Sequence, residues 1–122
     1  MPIVDIEIVG PLPAGRTPTL AQKLADAVGR VFGAPPGTTW VRVRMLPLEA
    51  YAENDTAIAP ADTPVFVDVR KRRAPEGAEL AAEIGALTHA IAVVMERPGS
   101  RVHVAYEASA AGRMAFGGTL VD

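Results

Sequence analysis

Two stretches of this chain repeat one another, and the repeat limits what the chain can fold into. Val4, Ile6 and Ile8 alternate with Asp5 and Glu7; 61 positions later Val65, Val67 and Val69 alternate with Phe66, Asp68 and Arg70. The same offset carries Val41 and Val43 onto Val102 and Val104. Between the alternating runs lie two apolar stripes, Leu20, Leu24, Val28, Val31 and Phe32 in the first half and Leu80, Ile84, Leu87, Ile91 and Val94 in the second, which match best at an offset of 63. Alternation marks a half-buried strand, and recurrence at three and four positions marks an amphipathic helix. The chain therefore reads as two tandem βαβ units, 1–60 and 61–122, within a single domain over 1–122.

Neither unit can bury both faces of its own sheet. Crossovers of this length imply parallel pairing within each unit. Side by side, the units give an α+β two-layer sandwich, a four-stranded mixed sheet with both helices on one face. No further helix remains to cover the opposite face, which predicts a partner chain there, most simply in a closed ring.

Punctuation agrees with this reading. Gly10 to Gly15 is rich in breakers; Thr17 and Pro18 form a helix start, Thr17 at the cap and Pro18 at the first helical position. Gly33, Pro35 and Pro36 end that helix, Pro75 and Glu76 open the second, and Arg97-Pro98-Gly99 closes it.

Composition narrows the function. With 21% charged residues and a net charge of -2, there is no basic field for nucleic acid or an anionic membrane. No run of large apolar residues approaches a membrane span and the N-terminus lacks the basic and apolar regions of a signal peptide, so a cytoplasmic protein without membrane contact is expected. The absence of cysteine excludes thiolate chemistry and cysteine zinc sites. His89 and His103 have no partners at ligand spacing, so the expected mechanism uses no metal and no cofactor.

Pro2 stands directly before the first strand. If Met1 is removed, the strand begins with a secondary amine. An exposed terminal amine titrates at about 7.7–8.0, and burial or a nearby cation lowers that value, so such a proline would act as a base near neutrality.

Pro2 before a strand, Gly15-Arg16-Thr17 and Arg72-Arg73 ahead of the helices, Gly33-Ala34-Pro35, the Val-Arg-Val at 41–43 and the tail from Gly112 to Leu120 together resemble the tautomerase superfamily, 4-oxalocrotonate tautomerase-like and related to macrophage migration inhibitory factor. The resemblance implies a fused, double-length member acting as a homotrimeric isomerase on a small carboxylate substrate. It carries the role of general base over to Pro2. Arg42, with His103 at the same place in the second half, would stabilise an enolate oxygen; Arg73, or Arg16, or Arg72 beside it, would hold the substrate carboxylate. Trp40 and Phe116 are candidates for an apolar wall around the amine. The activity implied is interconversion of enol and keto forms of an unsaturated 2-oxo or 2-hydroxy acid. Alternatives are a proline-dependent decarboxylase, a hydratase or dehalogenase, or a non-catalytic binding protein if Met1 is retained. Simpler readings stand beside each role: the 70–73 cluster as a solvated loop, Arg42 and Arg44 as an interface face, Trp40 and Phe116 as packing. Pro2's second-half counterpart is Thr63, so one proline site per chain is expected, and Tyr51-Ala52-Glu53-Asn54 lacks the glycines of the tail, which points to unequal halves.

Overall fold

A computed structural model describes residues 2–12 and 17–122. Strand β1 (Ile3–Val9) is followed by helix α1 (Leu20–Phe32) and strand β2 (Trp40–Leu46); β3 (Val65–Arg70), α2 (Gly77–Met95) and β4 (Val102–Tyr106) repeat the order, and a short hairpin of β5 (Ala115–Phe116) and β6 (Thr119–Leu120) closes the chain. The main sheet has the order β2-β1-β3-β4. Pairing is parallel within each unit and antiparallel between β1 and β3 in the middle.

Alternation decides the layers. Val4, Ile6, Ile8, Val65, Val67 and Val69 are fully buried and pack with Leu24 and Val28 of α1 and Leu87, Ile91 and Met95 of α2. Both helices thus cover one face of the sheet. The other parity forms an open face in three register rows: Trp40, Ile3 and Arg70; then Arg42, Asp5, Asp68 and Ala105; then Arg44, Glu7, Phe66 and His103. Ile3 and Ala105 apart, these side chains are charged or aromatic, unlike those of the core face.

Helix boundaries follow local chemistry. α1 begins at Leu20 after a 3-10 turn over Thr17–Thr19, not at Pro18 as the sequence suggested; short 3-10 turns commonly lead into helices. It ends where Gly33 takes φ +60 and the amides of Gly33 and Ala34 bond back to Arg30 and Gly29, a Schellman closure that needs the left-handed conformation glycine adopts most cheaply. α2 is a correction to the sequence reading. Over 19 residues, with mean hydropathy 1.5, it is long and apolar enough to cross a membrane by length and composition. Alanines mask this, because they interrupt the run of large apolar residues. Here α2 lies on the sheet and buries Leu87, Ile91, Ala92 and Met95.

Both halves carry a hairpin after their second strand. Phe116 pairs with Thr119 around Gly117 and Gly118, both at positive φ. Glu53 bridges Thr56 around Asn54 and Asp55, with Asp55 at φ 54. The glycine-poor segment therefore also turns in two residues, but with positive φ at Asp55 alone, a position that Asp tolerates better than most side-chain-bearing residues.

Candidate active site at the start of the first strand

Pro2 is buried at the head of β1, and its carbonyl accepts the amide of Trp40, 3.0 Å away, at the head of β2. The central position of β1 gives Pro2 neighbours on both sides. Toward β2, Trp40 lies in register with Ile3; toward β3, Arg70 does. The heads of β1 and β2 and the tail of β3 thus meet at one end of the sheet.

On the β2 side the wall is aromatic. The Trp40 and Phe116 rings meet edge to face with centroids 4.9 Å apart, a favoured geometry for aromatic quadrupoles. Trp40 remains 45% exposed, and its indole Nε1 donates to Gly37 O at 3.0 Å. The structure brings these two residues together beside Pro2. Phe116 also lines a shallow cavity of about 360 Å³ with Arg72 and Leu120. Arg72 Nε donates to the backbone oxygen of Asp122, which ties the last residues to the segment after β3.

On the β3 side the wall is cationic. The chain after β4 crosses the end of β3, with the amides of Glu107, Ala110 and Ala111 bonding to Val69, Lys71 and Arg72. Under this crossing lies a cavity of about 340 Å³, lined among others by Arg70, Glu107, Ser109, Arg113 and Met114. Lys71 turns to the helix layer, where its Nζ meets Glu83 at 2.8 Å and the Phe32 ring at 4.6 Å. Glu83 also accepts the Tyr106 hydroxyl, and burial, ahead of that bond, pushes the Tyr106 phenol well above its ordinary value. Arg73 is exposed and makes no ion pair with another described residue. Arg16 lies outside the described residues.

Two other candidates stand apart from Pro2 within the protomer. Arg42 bonds Asp5 through Nε at 2.6 Å and Nη2 at 2.8 Å on the open face. That pair holds the Asp5 carboxyl below the usual carboxylate range. His103, on β4 two strands from β1, lies beside Phe66 in the third row, ring centroids 5.6 Å apart and planes tilted by 45°. The sequence singles out Arg70 only as a member of the 70–73 cluster and gives Arg113 no role. The parity of Arg70, shared with Phe66 and Asp68, was the available signal; for Arg113, only the tertiary crossing reveals its place.

The opposite end of the sheet shows what becomes of the second proline position. Thr63 is 1% exposed and lies so close to Gly10 that a Cβ there would meet its Cγ2 at 2.9 Å. The Arg97 guanidinium donates to the carbonyls of Thr63, Pro64 and Pro11. This end is closed by packing. A concavity of about 690 Å³ between α1 and the 33–40 segment shares only Trp40 with the Pro2 end; it is an outer groove of the first unit.

No family model matches the sequence, and no curated protein shows significant similarity to it. Solved structures do. The Q0 fused 4-OT, a wild-type symmetric trimer, is 22% identical, with 98% of this chain and 94% of that one covered and a TM-score of 0.69. Pt0534, in a structure inactivated by 2-oxo-3-pentynoate, is 22% identical over the same shares, with a TM-score of 0.76. A macrophage migration inhibitory factor homologue from Prochlorococcus marinus is 15% identical, with 98% and 99% covered and a TM-score of 0.72. At these identities the likeness is one of fold, and the chain has the double-length βαβ fold seen in fused 4-OT proteins and migration inhibitory factor homologues.

Proposed function

We propose that this protein is a cofactor-independent isomerase that interconverts the enol and keto forms of a small 2-oxo acid, with Pro2 as the general base. The observation that carries the reading is the position of Pro2: buried, at the head of a central strand, bonded through its carbonyl to Trp40 and one residue before Ile3, which Trp40 and Arg70 flank in register. Freed of Met1, its amine would be desolvated beside cations, and both effects lower a proton affinity into the range useful at neutral pH. The amine takes the proton of an enol hydroxyl or an acidic carbon and returns it elsewhere on the conjugated system. Arginines near the end of β3, Arg73 among them, hold the carboxylate. Inactivation of Pt0534 by 2-oxo-3-pentynoate, an acetylenic 2-oxo acid, supports this substrate class.

Arg42 and His103 are assigned to the enolate oxygen. From the open sheet face they would reach a substrate only across a protomer boundary, which favours a homotrimer, as in the fused 4-OT structures.

The test combines intact mass with turnover of an enol substrate such as the enol of phenylpyruvate. Loss of Met1, with a pH-rate limb below pH 8 that disappears in Pro2→Ala, supports the assignment. Full activity with Met1 retained, or unchanged turnover in Pro2→Ala, refutes it.

A further inference from the structure

Helix α2 carries two carboxylates, Glu79 and Glu83. Glu79 is exposed, whereas the Glu83 side chain is 18% exposed and turns toward the sheet. Its two oxygens hold two different segments of the chain. Oε1 accepts the ammonium of Lys71, one residue past β3, at 2.8 Å, and Oε2 accepts the hydroxyl of Tyr106, the last residue of β4. Lys71 Nζ also sits over the ring of Phe32, the last residue of α1.

These two segments cross at the Pro2 end. The chain leaves β4 at Tyr106 and runs over the end of β3, where the amides of Glu107, Ala110 and Ala111 bond to the carbonyls of Val69, Lys71 and Arg72, and Ser109 Oγ accepts the amide of Ala74. Glu83 therefore holds both the residue that enters the crossing and the residue on which it lands. Arg70, Arg72 and Arg73 lie on one of these segments and Arg113 on the other.

Packing alone does not call for this network, and the repeat supplies the comparison. At the offsets of 61 for strands and 63 for helices, the counterparts of Lys71, Tyr106 and Glu83 are Gly10, Met45 and Leu20, at the Thr63 end. Leu20 is 3% exposed and belongs to the core cluster. The equivalent joint is thus built there without a charge. A buried ion pair stabilises a fold no better than apolar side chains of similar volume, because desolvation offsets most of the attraction. What hydrogen bonds add is direction.

We propose that Glu83 is a positioning residue: through Lys71 and Tyr106 it sets where the tail crosses β3, and so the spacing of the arginines on the two segments. This rests on the reading of arginines near the end of β3 as holders of the substrate carboxylate. Glu83 itself touches no substrate and moves no proton.

The test compares the wild type with two variants. The triple replacement Lys71→Met, Glu83→Leu and Tyr106→Phe gives this joint the apolar character of its counterpart; in Glu83→Gln the amide still bonds both partners once the Tyr106 hydroxyl turns to accept. Urea unfolding measures stability, hydrogen exchange read by mass spectrometry measures the crossing, and turnover of the enol of phenylpyruvate gives kcat and KM. The triple variant is expected to be as stable as the wild type and to exchange faster over residues 107–114 but not over β1. Its KM rises about tenfold with kcat within about twofold, the pattern of weakened substrate holding with the chemistry intact. Glu83→Gln stays near the wild type in all three measurements. Unchanged exchange over residues 107–114, an unchanged KM, or a loss of stability that kcat follows would make the network structural only and overturn the proposal. Retained turnover in Pro2→Ala would instead remove Pro2 as the base, and both the exchange and the KM comparison would remain readable.

Discussion

Ile6 of β1 is paired with Val67 of β3, the residue 61 positions later that is its own counterpart in the repeat. The approximate twofold axis relating the halves therefore passes between these two side chains, exposed 1% each. An antiparallel contact between duplicated strands sends Pro2 to one end of the sheet and its counterpart Thr63 to the other. The two ends can then diverge without disturbing the core they share.

Because Ile6 lies at that axis and touches the core of both units, Ile6→Ala is expected to destabilise the whole protein, not one half. The expected cost is about 2–5 kcal/mol, as for large-to-small changes in well-packed cores. Urea unfolding followed by far-UV circular dichroism and by Trp40 fluorescence should give coincident transitions, both shifted. A shift seen by one probe alone would mean that the units unfold separately.

Much of this architecture is legible in the sequence because it is periodic. The alternation of Val4, Ile6 and Ile8 and its echo in Val65, Val67 and Val69 specify the strands and their buried face, and the helical stripes supply the layer above. Less legible is whatever depends on which loop crosses which strand end. Arg113 becomes part of the Pro2 end only because the amides of Ala110 and Ala111 bond to the segment after β3, and no local pattern announces that. Arg42 is assigned to the enolate oxygen through the family resemblance alone; its partner Asp5 is supplied by the neighbouring strand, a pairing that no local pattern announces.

Arg42 also has a pH consequence. Asp5 faces Asp68 across the β1–β3 pair, and Arg42 is the cation bonded to Asp5. Those hydrogen bonds depress the folded-state pKa of Asp5. A depressed carboxylate pKa adds stability in full above its unfolded value of about 3.9, and that stability is lost as pH falls through the folded value. Asp5→Asn should therefore be less stable than the wild type at pH 7, and the gap should close toward pH 2. A gap that stays constant in urea midpoints measured across this range would show that the pair contributes through packing instead.

The Thr63 end makes a separate prediction about stability. Arg97 is desolvated, has no carboxylate partner among the described residues, and is held by the carbonyls of Thr63, Pro64 and Pro11. Arg97→Met keeps most of the aliphatic stem but leaves those acceptors with less protein bonding, at a cost of about 1–3 kcal/mol. Since this end lies across the sheet from Pro2, turnover measured well below the melting temperature should be unaffected. A lowered turnover with unchanged stability would show that the two ends communicate.

The contrast between the ends is sharpest in one repeated contact. Trp40 corresponds to Arg101 at the 61-residue offset, and Phe116 corresponds to Glu53 at the 63-residue offset of the hairpins. Where the first pair meets edge to face at 4.9 Å, the second is an ion pair at 2.9 Å. The same hairpin-to-strand contact is thus apolar beside Pro2 and ionic beside Thr63. Phe116→Ala removes the aromatic partner of Trp40 at a cost of about 0.5–1.5 kcal/mol beyond the lost burial. Trp40 is the single tryptophan, so its emission reports directly on the Pro2 end and should shift to the red in this variant. If Phe116 walls the site, an unreactive aromatic acid such as cinnamate should bind Phe116→Ala several-fold more weakly than the wild type, while Glu53→Gln, at the other end, leaves that affinity unchanged. An unshifted emission with unchanged cinnamate affinity would place Phe116 outside the site and return the aromatic pair to a packing role.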